Sequence, residues 1–133
     1  MDSEDRCLLI NRQIEKANRF MEQAVEMMSL GYYDLAVNRY YYACYHVVQA
    51  LFLQKGISGH THSGIITLFS QHFVKTGVVD RRQGSLLARL FQLRQKADYN
   101  CSYDISGDEA KSLSEPVREF VDCIIGLVNR NRA

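Results

Sequence analysis

Apolar residues recur at intervals of three and four along almost the whole chain, and a single proline, Pro116, is the only one to interrupt the pattern. That period places side chains on one face of a helix, whereas strands need alternation. The fold expected is therefore all-α, an up-and-down bundle of four to five helices. At 133 residues the chain reads as one domain spanning 1–133, large enough to bury a core.

Five segments follow from start and stop signals. The first helix is expected over Glu4–Leu30, with Ser3 as cap, Glu4 and Asp5 at the positive N-terminal end, and Gly31 in the left-handed position beyond its end. Its inward stripe is Ile10, Ile14, Ala17, Met21, Ala24 and Met28. The second begins near Asp34, a plausible cap, and stops at Gly56. Stripes of Ala36, Tyr40, Ala43, Val47 and Ala50, and of Tyr41, Cys44, Val48 and Phe52, make it apolar on most sides and hence the central helix. A short third helix runs from Thr61 or Ser63 to Gly77 with Ile65, Ile66, Phe69 and Phe73 inward. Asp80 caps a fourth that reaches Tyr99 and buries Leu86, Leu90, Leu93 and Ala97. Ser106 and Glu109 have capping-box spacing and open the last helix, whose apolar register continues across Pro116 and predicts a kink rather than a break.

Composition bounds the function classes. Hydrophobic residues make up 47% and charged residues 23%, as in ordinary globular chains, and no apolar stretch reaches the roughly 18 to 20 residues of a membrane span. The start, Met1-Asp2-Ser3-Glu4-Asp5, is acidic where a secretory signal would be basic and then apolar. The reading is a soluble, cytoplasmic protein with no membrane partner. A net charge of +1 supplies no global field to hold nucleic acid, so any RNA or nucleotide must be held by a local site. Cys7, Cys44, Cys101 and Cys123 contain no Cys-x-x-Cys pair and are expected as reduced structural thiols. His60 and His62 flank Thr61, with His72 farther on, but spacing places no further ligands, so neither metal nor cofactor is expected. His62-Ser63-Gly64 is better read as a helix entrance whose backbone N–H groups can receive a phosphate.

Two polar stripes stand out. Arg94 is followed one turn later by Asp98 and then at once by Tyr99, and Arg39, Tyr42, His46 and Gln49 recur at three, four and three within an apolar helix. Polar groups so aligned need partners inside the protein, at an interface or in a cleft. Arg94 and Asp98 are candidate catalytic residues; Arg39, Tyr42, His46, Arg94, Asp98 and Tyr99 are candidate ligand-binding residues. A helix-surface ion pair is the plain alternative for Arg94 and Asp98, and a hydrogen-bonded structural or dimer face is the plain alternative for the second stripe. The tyrosines from Tyr40 to Tyr42 are read mainly as core, with Tyr42 alone on the polar stripe. Arg81 and Arg82 are read as a solvated helix start.

The strings Asn38-Arg39-Tyr40-Tyr41-Tyr42-Ala43-Cys44-Tyr45-His46, His62-Ser63-Gly64, Gln71-His72-Phe73-Val74-Lys75-Thr76-Gly77 and Leu93-Arg94-Gln95-Lys96-Ala97-Asp98-Tyr99, in that order, resemble the HEPN domain, and most closely its small stand-alone prokaryotic branch. The resemblance implies a helical bundle, commonly a homodimer, encoded beside a minimal nucleotidyltransferase in toxin–antitoxin or defence modules. It also implies a nucleotide or RNA ligand. Many such domains are metal-independent ribonucleases using an Arg followed four to six residues later by His. Arg94 matches the arginine, but Tyr99, Asn100 and Cys101 occupy the three possible histidine positions. Cleavage through the RNA 2′-hydroxyl needs a proton shuttle as well as a cation. Arg94 supplies the cation, Asp98 is expected as its ionised partner, and a phenol is a poor base. His46 is the candidate replacement shuttle. Three readings follow: a binding module lacking the usual nuclease pair, a ribonuclease with Arg94 and a non-standard base, and a purely structural helical dimer.

Overall fold

The computed structural model describes residues 2–132; Met1, the first residue of the acidic N-terminal string, and Ala133 lie outside them. The described residues form five α-helices and one π-helical turn: α1 (Ser3–Ser29), α2 (Tyr33–Lys55), α3 (His62–Phe69) running into the π turn (Ser70–Val74), α4 (Arg81–Tyr99) and α5 (Gly107–Arg132). The all-α bundle expected from periodicity is what forms.

α2 is the spine. It packs against α1, α4 and α5, and both of its expected stripes, including Tyr40, Tyr41, Cys44, Val47 and Phe52, are buried. Ile10, Ala17, Met21 and Ala24 of α1 close one side, with Ile14 and Met28 half-buried beside them. Leu113, Val117, Phe120 and Ile124 of α5 fill another. Fully burying a side chain of this size contributes about 1.5 to 3 kcal/mol, so α2 anchors whatever is mounted on it.

Helix ends follow local chemistry, with three differences from expectation. Asp2, not Ser3, caps α1, its Oδ1 accepting from the Asp5 N–H at 2.8 Å. The chain leaves α1 through Gly31 (φ 79°) and leaves α2 through Gly56 (φ 70°), both left-handed positions that a Cβ would strain. Asp34 does not cap α2: its Oδ1 accepts from the Ile105 N–H at 2.9 Å, pinning the α4–α5 connection to the start of α2. At α5 the Ser106 hydroxyl accepts from the Glu109 N–H at 3.1 Å, but the Glu109 carboxylate is taken by the Tyr103 hydroxyl at 2.9 Å, so the capping box is half made. α5 then runs unbroken through Pro116.

The third helix differs most from its sequence pattern, because its last turn widens. Thr61 caps it, the hydroxyl accepting from the Gly64 N–H at 2.9 Å, but after Phe69 the chain takes an i→i+5 turn, closed by Lys75 N–H donating to Ser70 O at 2.9 Å. Phe73 stays in the core, 5.7 Å from the Phe69 ring and 6.1 Å from Phe52. Val74 meets α4 at Gly84, where a Cβ would stand 2.7 Å from Val74 Cγ2.

Candidate functional site

Arg94 is the centre of the arrangement. It lies on α4 next to the buried Leu93, and its side chain is only 14% exposed. The Nη1 group donates to the Tyr42 hydroxyl at 2.8 Å. The guanidinium carbon sits 5.4 Å from the ring centroids of both Tyr41 and Tyr42, consecutive residues of α2. Two aromatic faces and a hydroxyl therefore hold the cation, an arrangement that suits a planar guanidinium. Asp98 lies one turn on, 46% exposed, with a carboxylate oxygen 3.8 Å from Arg94 Nε. That is an ion pair but not a hydrogen bond, and the buried Nε has no hydrogen-bond acceptor among the described residues. A buried donor left open costs free energy, about 1 to 3 kcal/mol.

His62 joins this cluster although it stands 32 residues before Arg94 in the chain. At the first turn of α3 its Nδ1 is hydrogen-bonded to the Tyr41 hydroxyl. Its ring stacks on Tyr45 at 4.9 Å and on Phe91 of α4 at 6.1 Å. Burial, reinforced by the positive charge of Arg94, lowers its pKa, so the neutral imidazole is favoured. Burial likewise raises the Tyr41 hydroxyl, which stays protonated. Spacing had offered His46 as the proton shuttle and His62 as a helix entrance. The signal that would have singled out His62 is tertiary, the packing of α3 across α2 and α4.

The second stripe divides. Tyr42 faces Arg94, whereas Arg39 and His46 lean toward α1. Arg39 lies over the Phe20 ring at 5.4 Å and donates to Asn38 Oδ1 at 2.6 Å. His46 stacks on the same Phe20 at 5.4 Å, its Nδ1 shares a hydrogen bond with Gln13 Oε1 at 2.7 Å, and burial together with the charge of Lys16 pushes its pKa down to about 4. Gln49 is half-buried on α2. Tyr99 is 82% exposed at the end of α4 and takes no part in the hydrogen bonding of Arg94. Three or more potential metal ligands do not cluster anywhere among the described residues, all four cysteines are free, with Cys44 buried, and no helix is long and apolar enough to cross a membrane.

The fold is an all-α bundle, and comparison with known proteins gives its family. The HEPN domain model matches residues 10–128, and the chain belongs to the HEPN domain family. A protein of Methanocaldococcus jannaschii named "Putative toxin MJ0605" is 33% identical over 124 residues, covering 87% of this chain and 92% of that protein. A "UPF0332 protein" of Thermotoga maritima is 38% identical over 93 residues, 70% of each chain. Another "UPF0332 protein", from Archaeoglobus fulgidus, is 31% identical over 120 residues, covering 90% and 95%.

Proposed function

We propose that this protein is a toxin-type HEPN protein that engages RNA or a nucleotide through the Arg94 cluster, acting as a homodimer beside a minimal nucleotidyltransferase. The observation that carries the reading is the guanidinium held by the Tyr42 hydroxyl and two aromatic rings while its Nε makes no hydrogen bond. Tyr41 and Tyr42 fix its plane before any ligand arrives, and a preorganised arginine suits the paired oxygens of a phosphodiester. The name of the Methanocaldococcus relative supports the toxin class, and the dimer and its partner are what the family resemblance implies. Lacking a histidine four to six residues after Arg94, the chain is read first as a binding module.

A second reading, metal-independent RNA cleavage, is favoured by His62. In the tautomer whose Nδ1–H donates to the Tyr41 oxygen, Nε2 is the lone-pair nitrogen that would accept the proton. Neutral His62 would take the 2′-hydroxyl proton as that oxygen bonds to phosphorus. The phosphorus–O5′ bond breaks, the proton passes to O5′, and the products are a 2′,3′-cyclic phosphate and a 5′-hydroxyl, with Arg94 opposing the charge that builds on the phosphorane.

One experiment separates the readings: a mixed RNA pool incubated in EDTA with wild type, Arg94→Ala and His62→Ala, with products resolved to the nucleotide and thermal shifts recorded beside it. The binding reading expects no cuts, and an RNA-induced rise in melting temperature that Arg94→Ala abolishes. Specific cuts slowed about 10²- to 10⁴-fold by His62→Ala would instead establish cleavage. No cuts and no shift at all would leave the structural dimer.

A further inference from the structure

Along α1, Arg12, Lys16 and Arg19 recur at intervals of four and three and so project from one side of the helix. All three are exposed, and with Leu9, Gln13, Glu15 and His46 they line a surface groove of about 310 Å³. Three cations face one carboxylate there, Glu15. The groove is joined to the Arg94 cluster by direct contacts. Gln13 bonds His46 at 2.7 Å, His46 stacks on Phe20 at 5.4 Å, Phe20 lies 6.1 Å from the Tyr42 ring, and the Tyr42 hydroxyl accepts from Arg94 at 2.8 Å. Phe20, Tyr42 and His46 are half-buried.

We propose that this side of α1 is a phosphate-binding lane that carries single-stranded RNA from the Arg12–Lys16–Arg19 groove across Phe20 and Tyr42 to Arg94. The inference rests on the reading of Arg94 as an RNA-phosphate site and adds a second, separate stretch of contacts. From Arg12 to Arg19 the helix rises about 10 Å, at about 1.5 Å per residue. Cations spread over that length can meet more than one phosphate of a single strand. RNA is the occupant chosen because the positive groove adjoins the Arg94 cluster, where a phosphate of the same strand would be held. Arg39, poised over Phe20, extends the positive border on the α2 side.

The test is fluorescence anisotropy of a labelled oligouridylate with the full chain at salt concentrations from 0.1 to 1 M. It compares wild type with R12Q/K16Q/R19Q, with R118Q/R130Q/R132Q as a control removing equal charge from exposed positions on α5, and with Arg94→Ala. Each phosphate neutralised contributes about 0.7 to the log–log salt slope of a single strand. The triple α1 variant is therefore expected to lose about 2 from the slope, converging with wild type near 1 M and binding about 100-fold more weakly at 0.1 M. The α5 variant should track wild type. Glu15→Gln is expected to tighten binding, a gain that a misfolded protein cannot imitate.

Arg94-dependent binding whose slope the α1 variant leaves intact would overturn the lane while sparing the RNA reading. Equal losses in the α1 and α5 variants would also overturn it, since bulk charge would then be the cause. Displacement of the RNA by polyglutamate at equal charge concentration, as effectively as by unlabelled oligouridylate, would assign the groove to an acidic protein instead. Absence of binding by wild type at every salt concentration would overturn both.

Discussion

At the scale of single residues, the site works because neighbours in the chain do different jobs. Tyr41 turns its hydroxyl to His62 and its ring to Arg94, whereas Tyr42 offers Arg94 both a ring and an acceptor. Tyr42→Phe keeps the ring and removes the acceptor, leaving Nη1 as well as Nε without a protein partner. A bond to a charged group is worth about 1.5 to 3 kcal/mol. Tyr42 is only half-buried, so a loss near the lower figure is expected. Urea unfolding should show it as a lower midpoint at unchanged slope, and RNA affinity should fall with it. A variant as stable as wild type would mean that the rings alone hold Arg94. The same residues show what could be read from the sequence. Arg94 and Tyr42 each stood out as polar groups on apolar helices, and they do meet. His62 did not stand out as a partner of Arg94, because nothing local to His62-Ser63-Gly64 says which helices α3 will pack against. Asp34 had the right type and place for a cap, yet a tertiary backbone N–H, that of Ile105, claims its carboxylate.

At the scale of elements, α3 is short and its placement of His62 depends on its first turn. Thr61 accepts from Gly64 N–H, and a Cβ at Gly64 would come within 2.9 Å of that hydroxyl, so cap and glycine fit each other. Thr61→Ala is expected to cost about 1 kcal/mol and Thr61→Ser to recover most of it. Amide exchange of α3 is the measurement, and faster exchange confined to that helix is the expected outcome. If Thr61→Ala left α3 protection unchanged, packing of Ile65 and Phe69 would be fixing the helix instead. Helices themselves were the most legible layer: the stripes of α1, α2 and α4 named from period alone are buried or half-buried in the fold. The glycines Gly31, Gly56 and Gly77 all have positive φ, as helix-stop chemistry requires. The π turn was not legible, since Phe69 and Phe73 are four apart and suit a plain α-helix equally well.

At the scale of the whole molecule, two histidines are buried far enough to resist protonation. His46 has a folded pKa of about 4 against an ordinary 6.5, and His62 is shifted in the same direction. The sign of the effect follows from which state binds the proton first. Above about pH 6.5 both imidazoles are neutral folded or unfolded, and the full stability is present. As pH falls from there toward 4 the unfolded chain takes up protons that the folded chain refuses, and stability declines. His46→Gln, which can still pair with Gln13, is expected to flatten the fall in melting temperature between pH 7 and 4.5, most clearly as a difference from wild type, because carboxylates contribute equally to both. Identical pH profiles would show that water reaches His46 freely.

The widened turn after α3 has a consequence for lineage rather than for energy. A π turn is an α-helix that has accommodated one additional residue, and here Ser70–Val74 lies between the helix that carries His62 and the loop that leads into the helix that carries Arg94. A chain one residue shorter at this point could close the turn to ordinary α geometry with Phe69 and everything before it undisturbed. The joint is thus a place where the length of the protein can change by one while the distance between its two most consequential side chains stays the same.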